Sequence, residues 1–237
     1  MKILLSLLFF VFSFSAFAFK VTPMVVEFDS SGRGASQTFQ IDNYSEKDIP
    51  IEIEAMTRKI DIDNKETRGV TKDFVVYPMQ IVVKAKEKRN IRVIWTGGYV
   101  PESEIPYRLA LRQLPVDFKV NNSSKPSTQI KFLFEYVASL YVMPKKVIPA
   151  KLEVESVKRV NDVAIVIVNN IGNVHVLFKQ FDVFVSVKGG KKIEIPVKNL
   201  ENYLAYNLLA GDRRRIKIPL PKDLAAGDVV VEFTGKQ

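Results

Sequence analysis

A fifteen-residue segment near the middle of the chain, Gln129–Met143, carries the strongest structural signal in the sequence. Apolar residues stand at every second position along it, namely Ile130, Phe132, Phe134, Tyr136, Ala138, Leu140 and Val142. A period of two places these side chains together on one side of an extended strand. We therefore predict a β-strand that is much longer than the usual length of about five or six residues.

Two interpretations of this strand remain open from the pattern alone. It is either a central strand with both ends in its own core, or a strand whose N-terminal half extends beyond its domain. The second interpretation follows from three large side chains in a row on one face, which favour pairing with another chain. A polar segment, 121–127, precedes the strand, and Pro144 ends it.

The first eighteen residues have the three parts of a secretory signal peptide. Lys2 is followed by an apolar run, 3–17, and the segment ends in Ala16-Phe17-Ala18. This order predicts export and cleavage after Ala18. The run is short for a bilayer span of about twenty residues, which favours removal of residues 1–18 over their retention as a membrane anchor.

Composition and motifs exclude several classes of function. The sequence has no cysteine, which excludes thiol catalysis and cysteine-ligated metal sites. The single histidine, His175, has no partner at a metal-ligand spacing, and no nucleophile–base, phosphate-loop or dinucleotide motif occurs. We predict no enzyme activity, no cofactor, no metal and no small-molecule substrate. In an exported protein the net charge of +9 favours acidic protein surfaces or carboxylates as partners over nucleic acid.

The mature chain is a series of short strand patterns separated by turn residues, with no helical periodicity. Before Pro144 we predict strands at 21–28, 35–41, 49–56, 74–77, 81–83, 91–95 and 107–114, and a polar loop at 58–72. After it we predict strands at 151–157, 163–168, 178–187, 192–197, 214–218 and 229–233. This spacing is typical of antiparallel sandwiches. We expect an all-β protein with domains at 19–144 and 145–237, joined by a short segment with two prolines that restricts their angle and leaves a cleft.

Four parts of the chain, in order, resemble motifs of the periplasmic chaperones that assemble pili, or fimbriae, by the chaperone–usher pathway. Phe19–Asn43 resembles the opening pair of strands, which ends in an Asn before a turn. Residues 74–78 and 90–95 resemble the F-x-x-x-P … x-x-R-I segment, and 104–115 resembles E-x-x-Y-R-…-I-P. In the second domain, 169–175 resembles the N-x-x-G-N-x-H turn.

The resemblance covers essentially the whole mature chain and implies both a fold and a function. It implies two immunoglobulin-like domains at an angle, in a boomerang-like shape, and a location in the periplasm. In this family the last strand of the first domain is donated to a pilin subunit that lacks its own final strand, and the subunit is then delivered to an outer-membrane usher. The matching donor residues are Ile130, Phe132 and Phe134, with Tyr136 next.

The sequence departs from the family where the subunit is anchored. The better-known members bind the C-terminal carboxylate of the subunit with an Arg on the first strand and a Lys near the end of the donor strand. The matching positions are Val25 or Val26, and Ser139, none of which is basic. Glu104 matches the family's glutamate, but Met143 stands where its Arg partner is expected.

These departures resemble the divergent, archaic branch of the family, and they imply that another base binds the carboxylate. Arg108 is the first candidate, because its strand should lie next to the donor strand near the cleft. Arg92 is the second candidate. A surface or intradomain salt bridge remains open for either arginine.

Two other classes of protein remain open as alternatives. A secreted structural or adhesive protein, for example a pilin-like one, would need a donor extension at its N-terminus, but a strand starts directly at Phe19. A carbohydrate-binding module usually has exposed aromatic residues, whereas the only tryptophan, Trp95, lies in a strand pattern. A homodimer in which two free copies cover each other's donor strand also remains open.

Overall fold

The computed structural model describes residues 19–115 and 132–236, so the predicted signal peptide lies outside the described residues. The described residues form strands and three short 3₁₀ helices, which confirms the predicted all-β class. None of the helices in these ranges is long and apolar enough to span a membrane. The strands are β1 (Phe19–Thr22), β2 (Val25–Phe28), β3 (Ser36–Asn43), β4 (Ile49–Ile60), β5 (Glu66–Val70), β6 (Phe74–Tyr77), β7 (Gln80–Val83), β8 (Lys88–Trp95), β9 (Ile105–Gln113), β10 (Glu135–Val142), β11 (Leu152–Val160), β12 (Val163–Asn170), β13 (Val176–Leu177), β14 (Phe181–Val187), β15 (Ile193–Glu194), β16 (Asn207–Leu208), β17 (Arg213–Pro219) and β18 (Val229–Gly235). The 3₁₀ helices are Arg33–Ala35, Phe178–Gln180 and Val197–Tyr203.

The first ten strands form two sheets that share one hydrophobic core. One sheet has the order β1-β3-β8-β6, and the other has the order β2-β10-β9-β4-β5, with β7 also paired to β4. Alternate residues of each strand point into the core, as a period of two requires. Fully buried core residues include Phe28, Phe39, Ile41, Ile51, Val83, Val93, Leu109, Leu111, Leu140 and Val142.

The first predicted strand is divided at Pro23, where the chain passes from one sheet to the other. β1 pairs antiparallel with β3, whereas β2 pairs parallel with β10. Proline has no backbone N–H to donate to a ladder, so a break at this residue is expected. The single strand predicted at 21–28 is therefore two strands, β1 and β2, in different sheets.

The polar loop predicted at 58–72 is wrong, because most of this segment is a β-hairpin. β4 continues to Ile60, and β5 pairs with it from Glu66 to Val70. The hairpin lacks a clean apolar face, since Arg58 and Arg68 stand opposite each other and their side chains are held by Glu66. Cross-strand ion pairs here replace the apolar alternation that marks other strands.

β10 is shorter than the strand predicted at Gln129–Met143. Residues 129–131 lie outside the described residues, and 132–134 carry no strand structure. β9 ends at Gln113, whose backbone N–H donates to the carbonyl oxygen of Phe134 at 2.9 Å. Within the described residues, no strand lies beside 132–134 to continue this pairing. Without backbone hydrogen bonds to a neighbour, these residues do not form a strand despite their apolar alternation.

The last eight strands pack around a second hydrophobic core. They form sheets of order β11-β12-β17, β15-β14-β18 and β13-β16. Buried residues of this core include Val166, Val168, Phe178, Val185, Leu208, Ile216 and Ile218. The predicted strand at 178–187 starts with a 3₁₀ turn, and most of the one predicted at 192–197 is not a strand. The predicted division between 144 and 145 falls between β10 and β11, and it stays a prediction.

Leu111→Ala tests the first core. Leu111 is fully buried on β9, between β4 and β10, so the substitution leaves a cavity, and we expect the free energy of unfolding to fall by about 3 kcal/mol. Val70→Ala is the control, because this side chain is 77% exposed and the change should stay within about 0.5 kcal/mol. Urea unfolding followed by the fluorescence of Trp95, which lies in the same core, measures both. A loss below about 1 kcal/mol for Leu111→Ala would contradict this packing.

Candidate functional site

The outer face of the sheet that contains β10 brings the predicted anchor positions together. Leu140 and Val142 point into the core, so the intervening residues of β10 point outward. Ser139 stands opposite Val25 of β2 on one side and opposite Arg108 of β9 on the other. Arg108 thus lies on the strand next to β10, the predicted donor strand, and its Nη1 donates to the Ser139 hydroxyl at 2.5 Å.

Arg108 belongs to a group of charged residues that we call the arginine cluster: Arg58, Arg68 and Arg108 around Glu66. The Nε atoms of Arg58 and Arg68 lie 2.9 and 2.7 Å from Glu66 carboxylate oxygens, and Nη2 of Arg108 lies 2.5 Å away. Three guanidinium groups share one carboxylate, so two positive charges of the cluster are uncompensated within it. The cluster is suited to binding an additional anion, for which arginine offers a planar fork of donors.

The environment keeps Glu66 ionised. Burial raises the pKa of its carboxyl, but hydrogen bonds from Arg108 and Arg68, together with the charges of Arg108 and Arg58, bring it down to about 2. The side chain of Arg58 is almost fully buried, whereas those of Arg108 and Arg68 are 16% and 32% exposed. Arg68 and Arg108 are therefore the members of the cluster that a ligand reaches from solvent.

Arg92, the second anchor candidate, lies on the other sheet. It is exposed on β8, where Thr38 and Tyr77 stand opposite it on the neighbouring strands. β8 belongs to the sheet β1-β3-β8-β6, which does not include β10. Of the two anchor candidates, Arg108 is the one that lies on a strand next to β10.

The predicted donor residues differ in their surroundings. Phe132 is 76% exposed, and Ile130 lies outside the described residues. Phe134 and Tyr136 are half-buried and pack against the first core, and the ring of Tyr136 meets that of Phe19 edge-on at 4.6 Å. Of the predicted donor residues that the structure describes, Phe132 is the one whose side chain is mostly exposed.

One edge of β10 is only partly paired. β9 pairs with β10 from Glu135 to Val142, but β2 pairs with it only from Ser139 to Val142. On the side of β2, the backbone from Glu135 to Ala138 has no strand partner within the described ranges. This segment, which we call the open edge of β10, is a place where another strand can add to the sheet.

Tyr141 connects this face to the second domain. Its hydroxyl oxygen accepts hydrogen bonds from Nη1 of Arg58 at 3.1 Å and from Nδ2 of Asn207 at 2.6 Å. Its ring stacks on His175 with centroids 3.9 Å apart. Nδ1 of His175 lies 2.7 Å from the carboxylate of Glu104, so a histidine of the second domain partners the glutamate that lacks its expected Arg.

The sequence offered little indication of three of these residues. Arg58 fell in a segment that was predicted to be a loop, and Asn207 lies in a two-residue strand without a pattern. His175 lies in the N-x-x-G-N-x-H turn, and this motif is the sequence signal for its place at the domain contact. In the described part of the chain, no group of three or more His, Cys, Asp or Glu could hold a metal ion.

Comparison with known protein families identifies one that covers more than half of the chain. The family described as pili and flagellar-assembly chaperone, PapD N-terminal domain, matches residues 18–148. The matched residues include β1 to β10 and therefore the arginine cluster and the open edge. A search of curated protein sequences found no match.

Solved structures with the same fold include several chaperones of pilus assembly. The CsuC–CsuE chaperone–tip adhesion subunit complex of archaic Csu pili from Acinetobacter baumannii aligns with a TM-score of 0.57 at 13% identity, covering 84% of this chain and 89% of the other. The E. coli chaperone DraB aligns with 0.54 at 17% identity, covering 87% of each chain. The Salmonella enterica SafA pilin–SafB chaperone complex aligns with 0.54 at 15% identity, covering 87% and 85%. At these identities the likeness shows the fold.

Glu66→Gln tests how much the arginine cluster stabilises the fold through its carboxylate. The pKa of Glu66 is lowered from 4.5 to about 2, so its stabilisation is present above pH 4.5 and is lost as the pH falls towards 2. Because the side chain is partly exposed, we expect solvent screening to reduce this contribution to about 1–2 kcal/mol. Urea unfolding at about pH 6 should show the variant less stable than the wild type, and the difference should shrink at about pH 3. An equal difference at both pH values would contradict the assigned role.

Proposed function

Because this chain belongs to the pili and flagellar-assembly chaperones with a PapD N-terminal domain, we propose that it binds incomplete pilin subunits by donating the strand that ends in β10, within residues 129–143. We further propose that it acts in the periplasm, after cleavage of residues 1–18, and delivers its subunits to an outer-membrane usher. The family is one of chaperones and not of enzymes. Membership of a chaperone family argues against the alternative of a secreted structural or adhesive protein.

The open edge of β10 is the observation that carries the proposal. A subunit strand that pairs there forms backbone hydrogen bonds with the segment from Glu135 to Ala138, so polar groups of both strands gain partners. Phe132 lies three residues before this edge with its ring mostly in solvent, and its burial in a subunit groove contributes about 2–3 kcal/mol. Ile130 stays a predicted donor. Phe134 and Tyr136 pack against the core of the first domain, so only the exposed parts of their side chains are available to the subunit.

The arginine cluster is the proposed anchor for the C-terminal carboxylate of the subunit. Arg108 lies directly across from Ser139, the position at which the better-known chaperones have a lysine. The two uncompensated positive charges of the cluster favour an incoming carboxylate, and Arg68 supplies a second exposed guanidinium group. A charged ligand at the end of the open edge fixes the register of the added strand, because it defines where that strand must stop.

The solved relatives support a pilin or a tip subunit as the partner. The Csu structure is a chaperone bound to a tip adhesion subunit, and the Saf structure is a chaperone bound to a pilin. The absence of both usual basic residues at Val25 or Val26 and at Ser139 supports a place in the archaic branch. When no subunit is bound, the same open edge is available to a second copy, so a homodimer that covers the donor strand is also proposed for the free protein.

Phe132→Asp tests strand donation. A carboxylate in an apolar groove costs about 2 kcal/mol or more, so we expect the variant to lose its candidate pilin subunit when both are expressed together in a periplasm. The chaperone itself should stay folded, because Phe132 is mostly exposed. Co-purified subunit per chaperone is the measurement.

Met79→Asp is the matched control, since Met79 is 67% exposed and lies between β6 and β7, away from β10. It should capture the subunit like the wild type. If Phe132→Asp unfolds the chaperone, the residue is part of the core and the donor assignment is wrong. If the variant is folded and captures as well as the control, the binding edge lies elsewhere.

Arg108→Ala and Arg92→Ala together test the anchor. A hydrogen bond to a charged group is worth about 1.5–3 kcal/mol, so loss of Arg108 should weaken subunit binding about tenfold or more. Arg92 lies on the opposite sheet, and its loss should have little effect. Subunit retained on immobilised chaperone during a timed wash measures both variants, with circular dichroism as the check on folding. The reverse result would identify Arg92 as the anchor.

A further inference from the structure

The second domain is linked to the arginine cluster at two places. At each place it binds a group that in turn holds members of the cluster in position. The first contact is made through Tyr141, and the second is made through the tip of the β4–β5 hairpin. Neither contact places a residue of the second domain within the cluster itself. The inference below rests on the proposed role of the cluster as a carboxylate anchor.

The first contact holds Arg58. Its Nη1 donates to the hydroxyl oxygen of Tyr141, which is buried and also accepts a short bond from Asn207 of the second domain. The ring of Tyr141 is fixed by its stack on His175, so the hydroxyl has little freedom to move. The remaining bond of Arg58 goes from Nε to Glu66. Asn207 therefore helps to orient Arg58, and through it Glu66, from the other domain.

The second contact holds the hairpin that carries three of the four members of the cluster. The backbone N–H of Arg215 on β17 donates to the carbonyl oxygen of Ile62 at 2.7 Å, and its side chain pairs with Asp63. The fully buried Arg214 donates from Nη1 to the carbonyl oxygen of Ile60 at 3.4 Å. The tip of this hairpin lies beyond the last residue pair between β4 and β9, Thr57 with Tyr107, and these bonds fix it to the second domain.

We propose that the second domain positions the arginine cluster for carboxylate binding, and that Asn207 and Tyr141 are the positioning residues. Three like charges at close range repel one another, so their alignment on a single anion needs outside support. With the domains docked, Arg58 is held back against Tyr141 and Glu66, and the forks of Arg68 and Arg108 remain available. Without that support the guanidinium groups rearrange, and binding of an anion must restore their order at a cost in affinity.

Coupling of this kind acts in both directions. If docking of the second domain raises the affinity of the cluster for a carboxylate, then a bound carboxylate stabilises the docked arrangement by the same factor. The relative position of the domains thus depends on whether the anchor is occupied. Docking of the second domain thus regulates the carboxylate affinity of the proposed anchor, which strand donation by itself does not do.

Acetate binding to the mature chain, residues 19–237, tests the proposal without any subunit. Sodium acetate is titrated at constant ionic strength against sodium chloride, and binding is read from the NMR signals of the arginine Nε–H groups in the cluster. For the wild type we expect a saturable shift of these signals. Asn207→Ala should raise the dissociation constant for acetate about threefold to tenfold, in line with the loss of one positioning hydrogen bond.

Tyr141→Phe keeps the stack on His175 and removes both the bond from Asn207 and the bond from Nη1 of Arg58, so it should weaken acetate binding at least as much as Asn207→Ala. The double variant should be no weaker than Tyr141→Phe alone. Asn199→Ala is the matched control, because Asn199 is exposed in the second domain. It should bind acetate like the wild type. A purely structural role of Asn207 would lower the thermal stability but leave the dissociation constant unchanged.

Two results would overturn the proposal, and they are distinguishable. If the wild type shows no saturable response to acetate, the arginine cluster is not a carboxylate anchor, and both the anchor and this inference fail. If the wild type responds and Asn207→Ala binds acetate equally well, the anchor stands and only the positioning by the second domain is wrong.

Discussion

One strand, β10, is part of a stable core at one end and has a partly unpaired edge at the other. At its C-terminal end it is hydrogen-bonded on both sides, to β9 and to β2, and Ala138, Leu140 and Val142 are fully buried. Within residues 19–115 and 132–236, β9 is the only strand that pairs with its N-terminal end. The well-packed end fixes the direction and register of the strand, so a partner that pairs with the other end meets a preorganised edge and loses less entropy on binding.

The arginine cluster places several positive charges on the outward face of the sheet, beside the same strand. A partly buried group of three arginines is costly for stability unless carboxylates compensate it, and Glu66 compensates only one charge. The excess is consistent with a ligand that supplies the missing negative charge, and it separates the cluster from Arg112, which is matched by Glu54 and Glu135.

The sequence predicts the position of a residue well where that residue packs against a layer of apolar side chains. It predicts the position poorly where the residue's main contact is one side chain far away in the sequence. The period of two identified most strands, because burial of one face constrains every second position. It missed the β4–β5 hairpin, whose strands are joined through ion pairs. Arg108 was found because a motif contains it, whereas Arg58 acquires its role from Tyr141, 83 residues away, and Tyr141 meets Asn207 after a further 66. No local pattern specifies such pairs.

These separations also bear on the order in which the site is made. The members of the cluster all lie before residue 109, while Asn207 and Arg215 lie near the end of the chain. Closing a long loop costs chain entropy before its contacts contribute any stabilisation, so such contacts tend to form late in folding. A chain that emerges from its N-terminus therefore carries every charge of the arginine cluster long before it has the contacts made by Asn207 and Arg215, and synthesis of the last strands is what completes those contacts.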